Sequence, residues 1–388
     1  MSDIKNILIF VSDSLRWGYL PDEFTSEGIV FKTVAQAPHS PPSFSTLSTG
    51  VYPSQHGVRH FGQRPAESVD LVYDIPDLDA IYFNEGRYRS DPLYRMFEIE
   101  NPKSLADLTT PFWYLERDTT THAPYVRNGF FDGTTVRSYL TRHGYDWAQH
   151  RDDYREVIDD SINLLKRRLQ VLERLGMRDE TLVVFTADHG ELFGEYGEVL
   201  HTAPLCPELV YVPTVVFHPD LEASDFAIDP QNNIIEHVDL IETCLSAIGF
   251  EDQIATEGTN ILETQRPRDF GYSEVQLQRK GVTFYEADGI WWRNAGVTDA
   301  TVSKPNRLIY ALYQLVRSPA REYLRQRPRE IIDLYLTDTQ MFSELPISTE
   351  TAIDYLERFR AGLQNQRGGE IELDEQTESA LTDLGYLQ

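Results

Sequence analysis

Apolar residues in this chain fall into short unbroken runs separated by longer stretches with helical spacing. Ile7-Leu8-Ile9-Phe10-Val11 is continuous, as a strand buried on both faces of a parallel sheet requires. It ends in Ser12-Asp13-Ser14-Leu15-Arg16, which puts Asp13 at a strand's carboxyl end. A matching run, Leu182 to Ala187, ends in Asp188-His189-Gly190. Tyr211 to Phe217 reads as a third strand, and its Pro213 predicts a sheet edge or an irregular start. Phe112-Trp113-Tyr114-Leu115 reads as a fourth, leading into Thr121-His122-Ala123-Pro124-Tyr125. Between them, Asp153 to Leu175 places Val157, Ile158, Ile162, Leu165, Leu169 and Leu172 on one helical stripe and stops at Gly176. His237 to Ile248 repeats the pattern and stops at Gly249. Strands alternating with such helices predict an α/β fold, a doubly wound, mostly parallel sheet flanked by helices. Ligands then bind outside the carboxyl ends of the strands, the edge to which Asp13, Asp188 and His189 belong.

From about Arg266 the texture changes. Gly271 to Glu274, Val282 to Tyr285 and Gly289 to Trp292 read as short strands, and Asp299 to Pro305 as loop. Basic, Tyr-rich helical sequence follows over Leu308 to Arg327, then an amphipathic helix near Thr349 to Leu363. The expected organisation is a catalytic domain over 1–265 and a smaller C-terminal α+β region over 266–388, with an acidic, mobile segment near 367–378.

The stretch Ala37 to Val58 carries the most local information. Pro41 and Pro42 predict extended backbone, and Ser43 to Thr49 a helix that stops at Gly50 in a left-handed cap. Ser40 would then stand just ahead of a helix N-terminus, where unpaired N–H groups favour an anion.

Composition narrows the partners. The 388 residues hold 62 acidic against 35 basic side chains, six of them Lys, for a net charge of −27 and a pI near 4.7. The excess is spread along the chain, the balance of a protein kept soluble at high salt. It argues against nucleic acid or an anionic membrane surface as partner. Two cysteines, Cys206 and Cys244, make no disulfide framework. No apolar run suits a signal peptide or a membrane span, so the expected location is cytoplasmic.

Two carboxylates and one imidazole at a single sheet edge suit a divalent cation, the imidazole shifting preference from Ca²⁺ towards Mn²⁺ or Zn²⁺. The residues also resemble the sulfatase branch of the alkaline-phosphatase-like superfamily, in a haloarchaeal form. Asp13-Ser14-Leu15-Arg16 is similar to that family's opening turn. Ser40-Pro41-Pro42-Ser43-Phe44, Thr49-Gly50 and Tyr52-Pro53-Ser54-Gln55-His56-Gly57 follow its nucleophile signature. Thr121 to Tyr125 resembles its Pro-His-x-Pro-Tyr segment, Ala187-Asp188-His189-Gly190-Glu191 its metal motif, and Leu384-Gly385-Tyr386-Leu387 its C-terminus. The resemblance implies Asp13, Ser40, Asp188 and His189 as ligands of one divalent metal, Mn²⁺ or Ca²⁺ ahead of Zn²⁺ or Mg²⁺. It also implies Ser40 as nucleophile, with His122 and His201 binding the transferred group's oxygens or protonating the leaving oxygen. Two positions depart from the pattern. Phe44 stands where the signature that directs conversion of Cys or Ser to formylglycine has Arg, which favours Ser40 reacting as serine. Ser14 stands where a second Asp is common. The expected activity is hydrolysis of a sulfate or phosphate ester, with a small molecule or glycan as substrate. A phosphodiesterase or phosphoglycerol-type transferase using unmodified Ser40 is the second reading, and a non-catalytic anion-binding pseudoenzyme the third. The insertion from Glu67 to Asp107 reads as solvated loop that shapes the pocket.

Overall fold

The computed structural model describes residues 4–86, 91–125, 134–201, 203–264, 266–279, 281–375, 377–378 and 381. The Leu384 to Leu387 motif lies outside the described residues. Seven strands make the main sheet: β1 (Asn6–Ser12), β2 (Ile29–Val34), β3 (Asp79–Phe83), β4 (Phe112–Asp118), β5 (Thr181–Thr186), β6 (Tyr211–Phe217) and β7 (Ile234–Glu236). They lie in the order β7-β2-β6-β5-β1-β4-β3. Every neighbouring pair is parallel except the two that involve β6.

The unbroken apolar runs are explained by burial on both faces. Ile7, Ile9 and Val11 cluster with Phe44 and Leu47 of helix α1 (Ser40–Thr49). Leu8 and Phe10 alternate to the other face and cluster with Val157, Ile158 and Leu165 of helix α2 (Trp147–Leu175). Helix α3 (His237–Ala247) joins the α1 face through Leu240, Ile241 and Leu245. Each such aliphatic side chain contributes about 1.5–3 kcal/mol by leaving water. Helix α2 starts six residues earlier than its apolar stripe predicts. Asp146 caps it, accepting from the Ala148 and Gln149 N–H groups at 3.1 and 3.4 Å, and its first turns are polar.

Several expectations need correction. Pro41 and Pro42 are not extended: His39 caps α1, Ser40 is its first residue, and the prolines occupy the second and third positions. Proline tolerates the first turn because those N–H groups would lack intrahelical partners anyway. Nor is Pro213 at an edge, since β6 lies between β2 and β5. The pairing of β6 with β5 spans only Val215 to Phe217, so the missing N–H falls beyond that ladder, and the Thr186 hydroxyl donates to the Pro213 carbonyl at 3.0 Å. The insertion read as loop supplies β3, at the sheet edge, and a helix over Pro92–Met96.

A second sheet is antiparallel, in the order β8 (Gly271–Arg279), β9 (Val282–Trp291), β10 (Gly296–Ala300) and β11 (Thr339–Phe342). The two strands expected at Val282 to Tyr285 and Gly289 to Trp292 are one. Asp288, between the two expected strands, is satisfied there by the Tyr272 hydroxyl at 3.0 Å and Arg360 at 2.8 Å. The loop expected at Asp299 to Pro305 is shorter, because β10 runs to Ala300 and helix α4 (Lys304–Arg317) begins soon after. Helix α5 (Pro328–Leu336) packs on α4, and helix α6 (Thr349–Gly362) lays Ala352 and Leu356 against Ile290 and Val297 of the sheet. Val275, Tyr285 and Trp291 share one core cluster with Leu8 and Phe10, so the two sheets are packed together.

The acidic stretch expected to be mobile is backbone-paired in its first part. Gly369–Glu370 pairs with Gln63–Arg64, and Gln366 and Gly368 donate to the Ser54 and Gly57 carbonyls at 2.7 and 3.1 Å. Gly57 has φ +75°, and a Cβ there would stand 2.3 Å from the Gly368 nitrogen, so only glycine admits this approach.

Candidate active site

All the residues singled out by sequence converge at one edge of the main sheet. Asp13 follows β1, Asp188 and His189 follow β5, and Ser40 opens α1 beyond β2. His122 lies after β4. Antiparallel β6 begins at the same edge, which brings its leading loop, with His201, to the others.

Asp13, Asp188 and His189 each offer a ligand atom within 4.8 Å of the others, and all are fully buried. The His189 Nε2 lies 3.3 Å from Asp188 Oδ2, 3.8 Å from Asp13 Oδ1 and 3.3 Å from Ser40 Oγ. His189 Nδ1 bonds the Gly190 carbonyl at 2.8 Å. A carbonyl only accepts, so Nδ1 carries the proton and Nε2 turns its lone pair to the carboxylates. His122 is held the same way, Nδ1 to the Ala123 carbonyl at 2.6 Å. Asp188 Oδ2 is buried and accepts no hydrogen bond. A buried carboxylate oxygen without a donor costs several kcal/mol unless a cation compensates it. The donor set therefore fits one divalent ion. Ser14 does not act as a third carboxylate. With φ +66° its N–H donates to Asp188 Oδ1 at 3.0 Å, and its hydroxyl to Asp13 Oδ1 at 2.9 Å.

Sequence reasoning missed Arg117. This guanidinium, from β4, grips Asp13 Oδ2 through Nε and Nη2 at 2.8 and 2.6 Å, and Asp91 through Nη1 at 3.1 Å. Its Nη2 also lies 3.2 Å from Ser40 Oγ. It rests over the rings of Phe44 and Phe61, at 5.3 and 5.8 Å. Phe44 is four residues after Ser40, on the same helix face, so the Arg117 guanidinium lies against both. The charged run Glu116-Arg117-Asp118 at the end of an apolar strand was the available signal, and it was the same signal that singled out Asp13. Asp91 was missed as well, and Glu191 was quoted as the end of the Ala187 to Glu191 motif without a role of its own. Glu191 Oε1 lies 3.6 Å from His201 Nδ1.

The charges follow from these contacts. Burial pushes the Asp13 carboxyl up, but the Arg117 guanidinium outweighs it and holds Asp13 well below the usual range. Burial and then the Asp13 charge raise Asp188. Burial lowers His189, and lowers His122 to about 3. His201 alone of the three is raised, because Glu191 outweighs its burial. The His201 ring lies 4.5 Å from that of His189 and 4.8 Å from that of His122, between centroids. The edge thus holds a hydroxyl flanked by a guanidinium, a cation-seeking donor set and one imidazole favoured as imidazolium.

The sulfatase family profile matches residues 116–250. Over 327 residues the chain is 32% identical to the low-salt glycan biosynthesis sulfotransferase Agl7 of Haloferax volcanii, covering 81% of this chain and 79% of that protein. Among solved structures, BT33494S-sulf, from the metabolism of multiple glycosaminoglycans by Bacteroides thetaiotaomicron, aligns with a TM-score of 0.58 at 16% identity, over 91% of this chain and 99% of that one. The phosphonate monoester hydrolase of Agrobacterium radiobacter gives 0.57 at 15% identity, over 84% and 96%. At such identities the structures speak for the fold, which is alkaline-phosphatase-like. The Agl7 relative carries the assignment further: the chain belongs to the sulfatase family, in a haloarchaeal form.

Proposed function

We propose that this chain cleaves a sulfate or phosphate ester with Ser40 as nucleophile, beside one divalent cation held by Asp13, Asp188, His189 and Ser40 itself. The observation that carries this reading is the position of Ser40 Oγ, 3.3 Å from His189 Nε2 and 3.2 Å from Arg117 Nη2. Such a cation would polarise an ester oxygen and lower the hydroxyl's pKa. Mn²⁺ is favoured by the mixed carboxylate and imidazole donors, and Ca²⁺ by the sulfatase resemblance. The chain's own groups supply the rest. Arg117 neutralises Asp13 and presents a second N–H to the reacting oxygen. Neutral His122, with Nδ1 donating to the Ala123 carbonyl, accepts at Nε2 from a protonated group, such as a hydroxyl of the substrate or of an acceptor. Ser40 gives up its hydroxyl proton to water, and its Oγ bonds the sulfur or phosphorus as the ester bond to that atom breaks. His201, raised by Glu191, gives its proton to the leaving alkoxide, and the transferred group stays on Ser40 until an acceptor removes it.

Pro41 and Pro42 carry no N–H, so α1 offers little of the backbone cradle expected at a helix start. Side chains must hold the anion instead. Phe44 in place of the signature arginine supports Ser40 reacting as serine. A second reading, transfer to a glycan hydroxyl rather than to water, is favoured by the Agl7 likeness and by the complete burial of Ser40, which limits competing water. A cytoplasmic, salt-rich setting is supported by the buried unpaired Cys206 and Cys244 and by the net charge of −27.

The deciding experiment pairs the mass of the Ser40 peptide with turnover of p-nitrophenyl sulfate, phosphate and phosphodiester, with Mn²⁺, Ca²⁺ or Zn²⁺. Unmodified serine is expected, together with turnover that chelation removes and Ser40→Ala lowers at least about a thousandfold. A peptide lighter by two hydrogens would replace serine chemistry with formylglycine chemistry. Full activity of Ser40→Ala would end the nucleophile assignment.

A further inference from the structure

Helix α4 has a face that the protein does not use. Its inner side buries Arg307, Tyr310 and Ala311. Its outer side carries Ile309, Leu312 and Val316, which are 51%, 47% and 55% exposed. Their spacing of three and four residues makes a continuous aliphatic ridge. Val282, 46% exposed, opens the strand beneath the helix, where Asn306 bonds the Thr283 carbonyl at 2.8 Å.

The charge around this ridge reverses that of the whole molecule. From Lys304 to Arg329 there are seven basic residues and one acidic, Glu322, in a chain of net charge −27. Helix α4 itself contains no Asp or Glu. Lys304 and Arg307 are taken up by Asp338. Among the described residues Arg317, Arg321 and Arg325 make no ion pair, although carboxylates outnumber cations almost two to one along the chain. Arg317 follows Val316 directly. Arg325 Nε bonds the Leu315 carbonyl at 2.7 Å, so its guanidinium sits at the same end of the ridge. Arg279 reaches the Tyr313 hydroxyl at 3.5 Å on its flank.

We infer that α4 is an interfacial helix that docks this protein on an anionic phospholipid surface. A convex aliphatic ridge bordered by unpaired arginines matches the boundary between acyl chains and negative headgroups. A second copy of the chain fits poorly, because pairing α4 with itself sets cations against cations with no carboxylate on either helix. The charge average that argued against an anionic membrane conceals this local reversal. Helix α5 lies between α4 and the turn Glu195–Gly197, and its Tyr335 hydroxyl bonds Glu198 at 2.8 Å, ahead of His201. A docked α4 thus holds the active-site edge close to esters carried at a membrane.

The test is co-sedimentation of the full chain with phosphatidylglycerol vesicles and with phosphatidylcholine vesicles. The wild-type protein is expected to bind the anionic vesicles at least about tenfold more tightly. The triple variant Ile309→Ser, Leu312→Ser, Val316→Ser should lose binding about tenfold or more with an unchanged melting temperature, because these side chains are already half in water. Arg317→Ser with Arg321→Ser should remove the preference for anionic lipid. Wild-type protein left in the supernatant overturns the inference, as does a triple variant that binds like wild type. Wild-type dimers that the triple variant converts to monomers, with no vesicle binding, would give the ridge to a second copy and overturn it equally.

Discussion

Ser40 is surrounded by side chains whose protonation is set by their neighbours. His122 and His189 are driven neutral by burial, yet His201, in ring contact with both, is raised because Glu191 faces it. If His201 is the proton donor, activity is present while it is protonated and falls as pH climbs through its raised pKa. Glu191→Gln removes the charge and leaves burial to dominate, so the alkaline limb of kcat/KM should move to lower pH by at least about one unit. An unmoved limb would dissociate His201 from proton donation. At this scale a polar residue closing an apolar run was the informative signal, read for Asp13, Asp188 and His189 and overlooked for Arg117. The sequence was silent about Asp91, which reaches the site through Arg117, and about the pairing of Glu191 with His201, ten residues away.

Elements were legible when packing dictated their pattern and illegible when it did not. Buried strands β1 and β5 and the stripe of α2 follow directly from apolar spacing. Strand β2 escaped notice because Lys32 and Thr33 interrupt it; the Lys32 ammonium is accommodated 3.8 Å from the centre of the Tyr211 ring. The direction of β6 was likewise hidden, since alternation of side chains is the same for either orientation. The first turn of α1 was misplaced because two prolines read as extended chain, though both fit a helix start. The return of the chain at 366–371 rests on Gly57, whose left-handed backbone and missing Cβ admit Gly368. Gly57→Ala should cost at least about 1–2 kcal/mol from backbone strain alone and loosen this segment. Urea unfolding and the rate of tryptic cleavage after Arg367 would measure it; wild-type stability with wild-type cleavage would show the contact to be dispensable.

For the whole molecule, 62 acidic residues against 35 basic ones put the folded state under self-repulsion that counter-ions relieve. The melting temperature should climb by several degrees between about 0.1 and 3 M potassium chloride, by calorimetry, as the Debye length shrinks. A flat or falling curve would contradict the high-salt setting. Fold class was readable from strand–helix alternation, because a two-faced sheet demands it; the packing of the second sheet onto the first was not, because it depends on residues such as Trp291 that pattern alone does not pair. Since β6 runs against its neighbours, the loop entering it meets loops leaving β1, β2, β4 and β5. The groups joined there are remote along the chain: Ser14 bonds Asp188 across 174 residues, and Ser40 meets His189 across 149. Closing spans of that length precedes any gain from the contacts they make. Ester turnover is therefore expected to return during refolding only once β1, β2, β4, β5 and β6 have assembled, which would make it a clock for a late stage of folding.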